Sequence, residues 1–139
     1  MSSYLNNNIK SGKQPSYSDI DPSMTMSSKD NDLFLLQNTK AVKRSIMNLL
    51  STAYGERLFQ PNIGGSLRSL LFEPIDTVTT LEMRDRVITT LRNHEPRIAT
   101  LYVDVVSDPD SNSYQVSVEF TLRANGERDK VTTVLERIR

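Results

Sequence analysis

The sequence predicts one small mixed domain in which helices come first and an antiparallel hairpin follows. Three observations predict it. At 139 residues the chain has room for one core and is too short for two comfortable ones. Apolar residues recur at helical spacing between Val42 and Ala53, and again between Val78 and Leu91. Beyond Pro96 the pattern changes to alternation on either side of a polar turn.

Residues 1 to 30 are rich in Ser and Asn, carry Pro15 and Pro22, and hold only scattered apolar groups. Such a composition cannot repay the entropy of ordering, which predicts a mobile N-terminal arm. Structure is expected from near Asp32, where Leu33, Phe34, Leu35 and Leu36 form a short apolar run that reads as one buried strand. Asn38 or Thr39 then supplies an N-cap oxygen, and Val42, Ile46, Leu49, Leu50 and Ala53 trace one face of a helix ending near Gly55.

The next stretch, GERLFQPNIGG from Gly55 to Gly65, reads as a joint. Gly55 suits a left-handed helix stop, Pro61 forbids a central strand, and Gly64-Gly65 permit a tight reversal before Ser66 caps a short helix through Leu71. Asp76 or Thr77 caps a longer helix with Val78, Leu81, Ile88 and Leu91 expected to face inward and Glu82 spaced to pair with Arg86. That helix must stop by Glu95, because Pro96 disfavours the helical region for the residue before it.

Leu101, Val103 and Val105 then alternate with Tyr102 and Asp104. The run from Ser107 to Asn112 turns the chain into Tyr114, Val116, Val118, Phe120 and Leu122, a half-buried hairpin. The tail fits two patterns. Val131, Val134, Leu135 and Ile138 have helical spacing, yet Val131-Thr132-Thr133-Val134 is β-branched throughout and follows the turn signal Asn125-Gly126, which favours a strand slightly.

Composition narrows the function classes. Seventeen Lys plus Arg balance seventeen Asp plus Glu, so the long-range positive field of a typical nucleic-acid binder is missing. No Cys and a single His, His94, exclude disulfide frameworks, thiolate zinc sites and cysteine nucleophiles, and no metal or cofactor site is expected. No apolar run approaches a membrane span and the first thirty residues show no signal-peptide core, so a soluble protein without a cleaved export signal is expected. The glycines match neither the phosphate loop nor the dinucleotide fingerprint.

Glu56, Glu73 and Glu95 are the candidate acid and base for glycoside cleavage, which requires two carboxyls across a cleft. Each sits beside a Pro or Gly, where a solvated or locally paired carboxylate is the ordinary outcome. His94 could shuttle a proton, but a histidine in the last turn of a helix commonly just complements the helix dipole. Glu95-Pro96-Arg97 places a carboxylate and a five-donor guanidinium on either side of a rigid proline at a helix-to-strand corner. Two readings fit: a docking element for another protein, or an intramolecular salt bridge that pins the corner.

Ala41-Val42 with Ser45-Ile46, GERLFQPNIGG, Leu70-Leu71-Phe72-Glu73-Pro74, Glu95-Pro96-Arg97-Ile98 and the terminal Leu135-Glu136-Arg137-Ile138-Arg139 occur in an order and spacing that resemble the baseplate wedge protein of contractile phage tails. That family includes a type VI secretion baseplate component, and its members are sometimes labelled lysozyme-like. Tyr17-Ser18-Asp19-Ile20-Asp21 extends the resemblance, which covers roughly residues 17 to 139 and leaves 1 to 16 as a flexible arm. Each motif alone is weak; together they are specific.

The resemblance implies a small α+β domain with about three helices on one face of an antiparallel sheet, similar to the interlocking domain of tail sheath subunits, and it makes the tail a strand. It implies a structural wedge component of the virion tail baseplate, assembled in the host cytoplasm, with no catalysis and no cofactor. Glu95, Pro96 and Arg97 would bind the wedge's helical core bundle, and an exposed strand edge at Val131, Thr133, Leu135 and Arg137 would take the first sheath ring by β-augmentation. No nucleic acid, membrane or small-molecule partner is expected. The lysozyme-like label suggests instead a peptidoglycan hydrolase using Glu56 or Glu73, against which stands the absence of Trp and of an aromatic-lined cleft. A plain adaptor outside any tail is the third reading.

Overall fold

The computed structural model describes residues 17–26, 32–33 and 35–136. The arm expected over residues 1–16, the place of Phe34 in the first strand, and the place of Arg137 and residues 138–139 in the last one lie outside the described residues.

A two-stranded antiparallel ribbon opens the domain, β1 Ser18–Ile20 against β2 Leu35–Gln37, with Asp19 opposite Leu36. Met26 bridges Leu33 just beyond it. The apolar run at 33–36 was expected to be a buried strand. It is instead exposed at Leu33 and Leu35 and only half-buried at Leu36, because the partner of Leu35–Gln37 is another surface segment, Ser18–Ile20.

Helix α1, Thr39–Ser51, buries Ala41, Val42, Ile46, Leu49 and Leu50, the face its spacing predicts. Asn38 stands at the N-cap position, but its side chain makes no capping bond and its backbone N–H donates to the Tyr17 carbonyl at 2.8 Å. The helix ends at Ser51 rather than near Gly55, since the Thr52 hydroxyl donates to the Asn48 carbonyl at 2.6 Å and Thr52 is already extended. The short α2, Leu67–Leu70, seats Leu67 and Leu70 in the core, and Ser66 precedes it at φ 46 without its hydroxyl accepting a capping N–H.

In α3, Thr77–His94, the Asp76 carboxylate caps the Thr79 N–H at 2.7 Å and Glu82 pairs with Arg86 at 2.6 Å. Its inward face differs from the expected one. Val78 is 71% and Leu81 53% exposed, whereas Thr79, Met83, Val87, Thr90 and Leu91 are buried. The stripe 79, 83, 87, 91 runs one turn at a time, and a threonine at its start hides it from a search for apolar residues.

Strands β3 Ile98–Asp108, β4 Ser113–Leu122 and β5 Arg128–Glu136 form an antiparallel sheet in the order β3-β4-β5. Leu101, Val103 and Val105 stand opposite Phe120, Val118 and Val116, and Val118 opposite Val131, so the alternating apolar residues share one face. That face carries α3 against β3 and α1 against β5, where Lys43 meets Asp129 at 2.7 Å. The hairpin turn is tied by Asp108, which accepts the Asp110 N–H at 3.1 Å and the Ser111 hydroxyl at 2.8 Å. The opposite face sets Glu119 against Lys130 and Ser117 against Thr132, and leaves Tyr102, Val106 and Val134 exposed. Over the described residues the fold is the small α+β domain, three helices with antiparallel sheets, that the resemblance implies.

A candidate docking corner at the end of the long helix

Pro96 dictates the corner. Glu95 leaves α3 at φ −126 and ψ 79 while its own N–H still donates to the Leu91 carbonyl at 2.9 Å. Three residues later β3 begins, and its register against β4 shifts between Ile98 and Thr100, a bulge that bends the strand where it leaves the helix. Arg123, just past β4, donates its N–H to the Arg97 carbonyl at 2.9 Å and a guanidinium N–H to the Ile98 carbonyl at 3.3 Å. The corner is therefore stitched to the far end of the hairpin.

Within it the Arg97 guanidinium grips the Glu95 carboxylate with both prongs, Nε to Oε1 at 2.6 Å and Nη2 to Oε2 at 2.7 Å. The Glu95 side chain is 1% exposed and that of Arg97 23%, while Pro96 lies at the surface. Tyr17 places its ring 5.8 Å from the guanidinium carbon, a cation–π contact that fastens the ribbon to the corner. The intramolecular brace, one of the two readings that the spacing allows, is thus present.

Burial pushes the Glu95 carboxyl up, but hydrogen bonds from Arg97 and Ser45 and the Arg97 charge outweigh it and hold the pKa below the ordinary value. The unfolded chain therefore binds this proton more readily than the folded one. The stability it contributes is present above the ordinary glutamate pKa, 4.5, and is lost as pH falls through the lower folded value. Urea midpoints taken from pH 6 downward are expected to drop below about pH 4.5 with a shallower slope in Glu95→Gln than in the wild type. Identical acid limbs would refute this.

The other candidate residues lie elsewhere. Gly55 has φ 80 three residues past Thr52, the C-cap of α1, and donates to the Pro61 carbonyl at 2.9 Å, so it closes the loop instead of stopping the helix. Gly64 has φ 139; Gly65 has no positive φ, so only the first needs a glycine backbone. Glu56 lies exposed and accepts the Ala53 N–H at 2.9 Å, and Glu73 is exposed beyond α2. His94 is the last, half-buried residue of α3. On β5, Val131 is buried and Thr133 and Leu135 half-buried against the core, leaving Thr132, Val134 and Glu136 on the solvent face.

The family profile described as Baseplate wedge protein gp25 matches residues 36–127. The Baseplate wedge protein gp25 of Enterobacteria phage T4 is 32% identical over 109 residues, covering 78% of this chain and 82% of that one. The chain belongs to the baseplate wedge protein gp25 family. Among solved structures, a Geobacter sulfurreducens protein described as a tail lysozyme superposes with a TM-score of 0.68 at 24% identity, covering 76% of this chain and 97% of that one. A chain of the type VI secretion system baseplate complex gives 0.58 at 14% identity over 70% and 93%. Both likenesses show a shared fold.

Within this gp25-family domain, sequence reasoning missed Tyr17, Ser45 and Arg123 as parts of the corner. Tyr17 and Ser45 appear in the motifs that carry the resemblance, but nothing local marks them as neighbours of residues 95–97. Arg123 is legible only once the hairpin register is known, because Leu122 pairs with Ile98 and so carries the next residue to the corner.

Proposed function

We propose that this chain is a structural component of a contractile-tail baseplate wedge, docking on the wedge's helical core bundle through Pro96 and Arg97 while its β5 edge receives the first ring of sheath subunits. The observation that carries the reading is the braced corner: a doubly bonded, buried Glu95 fixes Arg97 beside an exposed Pro96 at the junction of helix, hairpin and ribbon. A guanidinium already held in place loses little freedom when a partner arrives. Glu95 then acts as the positioning residue and Arg97 as the group presented. Brace and dock are the same device.

Sheath addition needs a free backbone edge, and among the described residues β5 has β4 on one side only. Neighbouring residues of an edge strand direct their N–H groups to opposite sides, so of Thr132→Pro and Thr133→Pro one removes an outward donor and the other a ladder donor. The first is expected to keep the melting temperature near wild type and block sheath polymerisation on assembled baseplates; the second lowers stability. Normal sheath growth with both would sink the edge assignment.

No catalysis belongs to this reading. Glu56 accepts an N–H of its own exposed loop and Glu73 lies on an exposed segment, so neither stands in a sheltered cleft where a glycan could be held between two carboxyls. Purified protein is expected to leave peptidoglycan turbidity at background. Clearing that disappears in folded Glu56→Gln or Glu73→Gln would establish the hydrolase instead.

A further inference from the structure

Beside the braced pair lies a small hollow that the proposed docking does not yet use. Pro96, Ala99 and half-buried Leu101 supply its accessible apolar surface, Leu91 and Ile98 lie buried beneath, and Arg92 and Arg123 flank it. Arg92 is exposed in the last turn of α3, and Arg123 is exposed after β4 with one guanidinium nitrogen on the Ile98 carbonyl. Among the described residues, neither arginine has a carboxylate at salt-bridge distance. The acid that lines the hollow, Glu95, is buried and gives both oxygens to Arg97.

We propose that this hollow is a carboxylate-reading notch for an acidic segment of another protein, one that sets an apolar side chain beside its Asp or Glu. The inference rests on the docking reading above and specifies what the partner brings to the corner. In a chain whose seventeen acids cancel its seventeen bases, two guanidiniums without an acidic partner among the described residues at one hollow are a local excess. A planar fork matches a carboxylate with two parallel bonds. The accessible apolar groups, Pro96, Ala99 and half-buried Leu101, favour a protein segment over a phosphate chain, since phosphates gain nothing from them and the neutral chain offers no field to steer them. Because Pro96 and Glu95 also line the hollow, a segment seated there would be continuous with a partner on Arg97.

The test uses the full chain and the purified wedge core proteins, with Kd measured at two salt concentrations. Arg92→Gln with Arg123→Gln is expected to raise Kd roughly tenfold or more and to flatten the salt dependence, while Arg84→Gln on the exposed side of α3 leaves both unchanged. Arg123→Gln also loses the bond to Ile98, so thermal melts accompany each variant, and Arg92→Gln alone, with no such bond, carries the test if the double variant unfolds. A folded double variant that binds within twofold of wild type overturns the notch and leaves the docking reading standing. Wild-type protein that fails to bind the core proteins at all overturns both. Single-stranded DNA that binds the wild type, competes with the core proteins and loses affinity in the double variant overturns the acidic-segment assignment in favour of a phosphate ligand.

Discussion

Gly64→Val is expected to leave little soluble, folded monomer. Gly64 sits at φ 139, and a Cβ built there would lie 2.6 Å from the Thr52 carbonyl oxygen and 3.0 Å from Ala53 backbone atoms. These obstacles are main chain, so they cannot swing aside, and the same Thr52 carbonyl accepts the Gly65 N–H at 3.2 Å. Backbone strain plus the clash comes to about 3 to 5 kcal/mol, a large part of the stability of a domain this size. Gly65→Val is a different case. Its Cβ would meet the Leu67 side chain at 3.1 Å and Thr90 Oγ1 at 3.5 Å without positive φ, and side chains can shift. A loss of about 1 to 2 kcal/mol is expected there. Urea melts of Gly64→Ala and Gly65→Ala keep the comparison measurable if the valine variant is insoluble, and equal midpoints would remove the special role of Gly64.

Arg97→Ala should destabilise more than Glu95→Ala, although the two remove partners of one ion pair. Deleting Arg97 strands a carboxylate that is 1% exposed, whereas deleting Glu95 leaves a guanidinium that still reaches water and the Tyr17 ring. Breaking a buried pair costs about 3 to 5 kcal/mol; Arg97→Ala is expected near that range and Glu95→Ala below it. The stranded Glu95 would take up a proton to escape its charge, so Arg97→Ala recovers stability toward acid pH where the wild type loses it. Denaturant midpoints across pH 4 to 7 would show the crossing trends. Parallel curves for the wild type and Arg97→Ala would mean that the pair is not coupled as its geometry indicates.

Much of this was legible in the chain, for local reasons. Val42, Ile46, Leu49 and Leu50 cluster on one helical face, Asp76 stands one turn before Thr79, and the residues from Tyr114 to Leu122 alternate; each pattern depends on neighbours within a turn or a pleat. What depended on distant partners was not. Leu35 and Leu36 read as core until Ser18–Ile20 is known to pair with them on the surface, and that pairing has no local signature. Val78 and Leu81 look like an inward stripe because valine and leucine outrank threonine in any hydrophobic count, yet packing placed Thr79 and Thr90 inside. At the corner the spacing around Pro96 revealed a possible Glu95–Arg97 pair. The covering Tyr17 and the flanking Arg123 arrive from opposite ends of the domain.

The most direct test of the central claim, that the braced corner docks the domain, is the affinity of Arg97→Lys for the purified wedge core bundle, measured where circular dichroism shows wild-type structure. Lysine keeps the charge beside Glu95 and so keeps the domain folded, but it cannot hold the fork that presents a fixed guanidinium. The account predicts a melting temperature close to wild type with binding weakened roughly tenfold or more. Wild-type affinity in folded Arg97→Lys, matched by wild-type affinity in whatever Arg97→Ala remains folded, would contradict it and leave Glu95-Pro96-Arg97 as a brace alone.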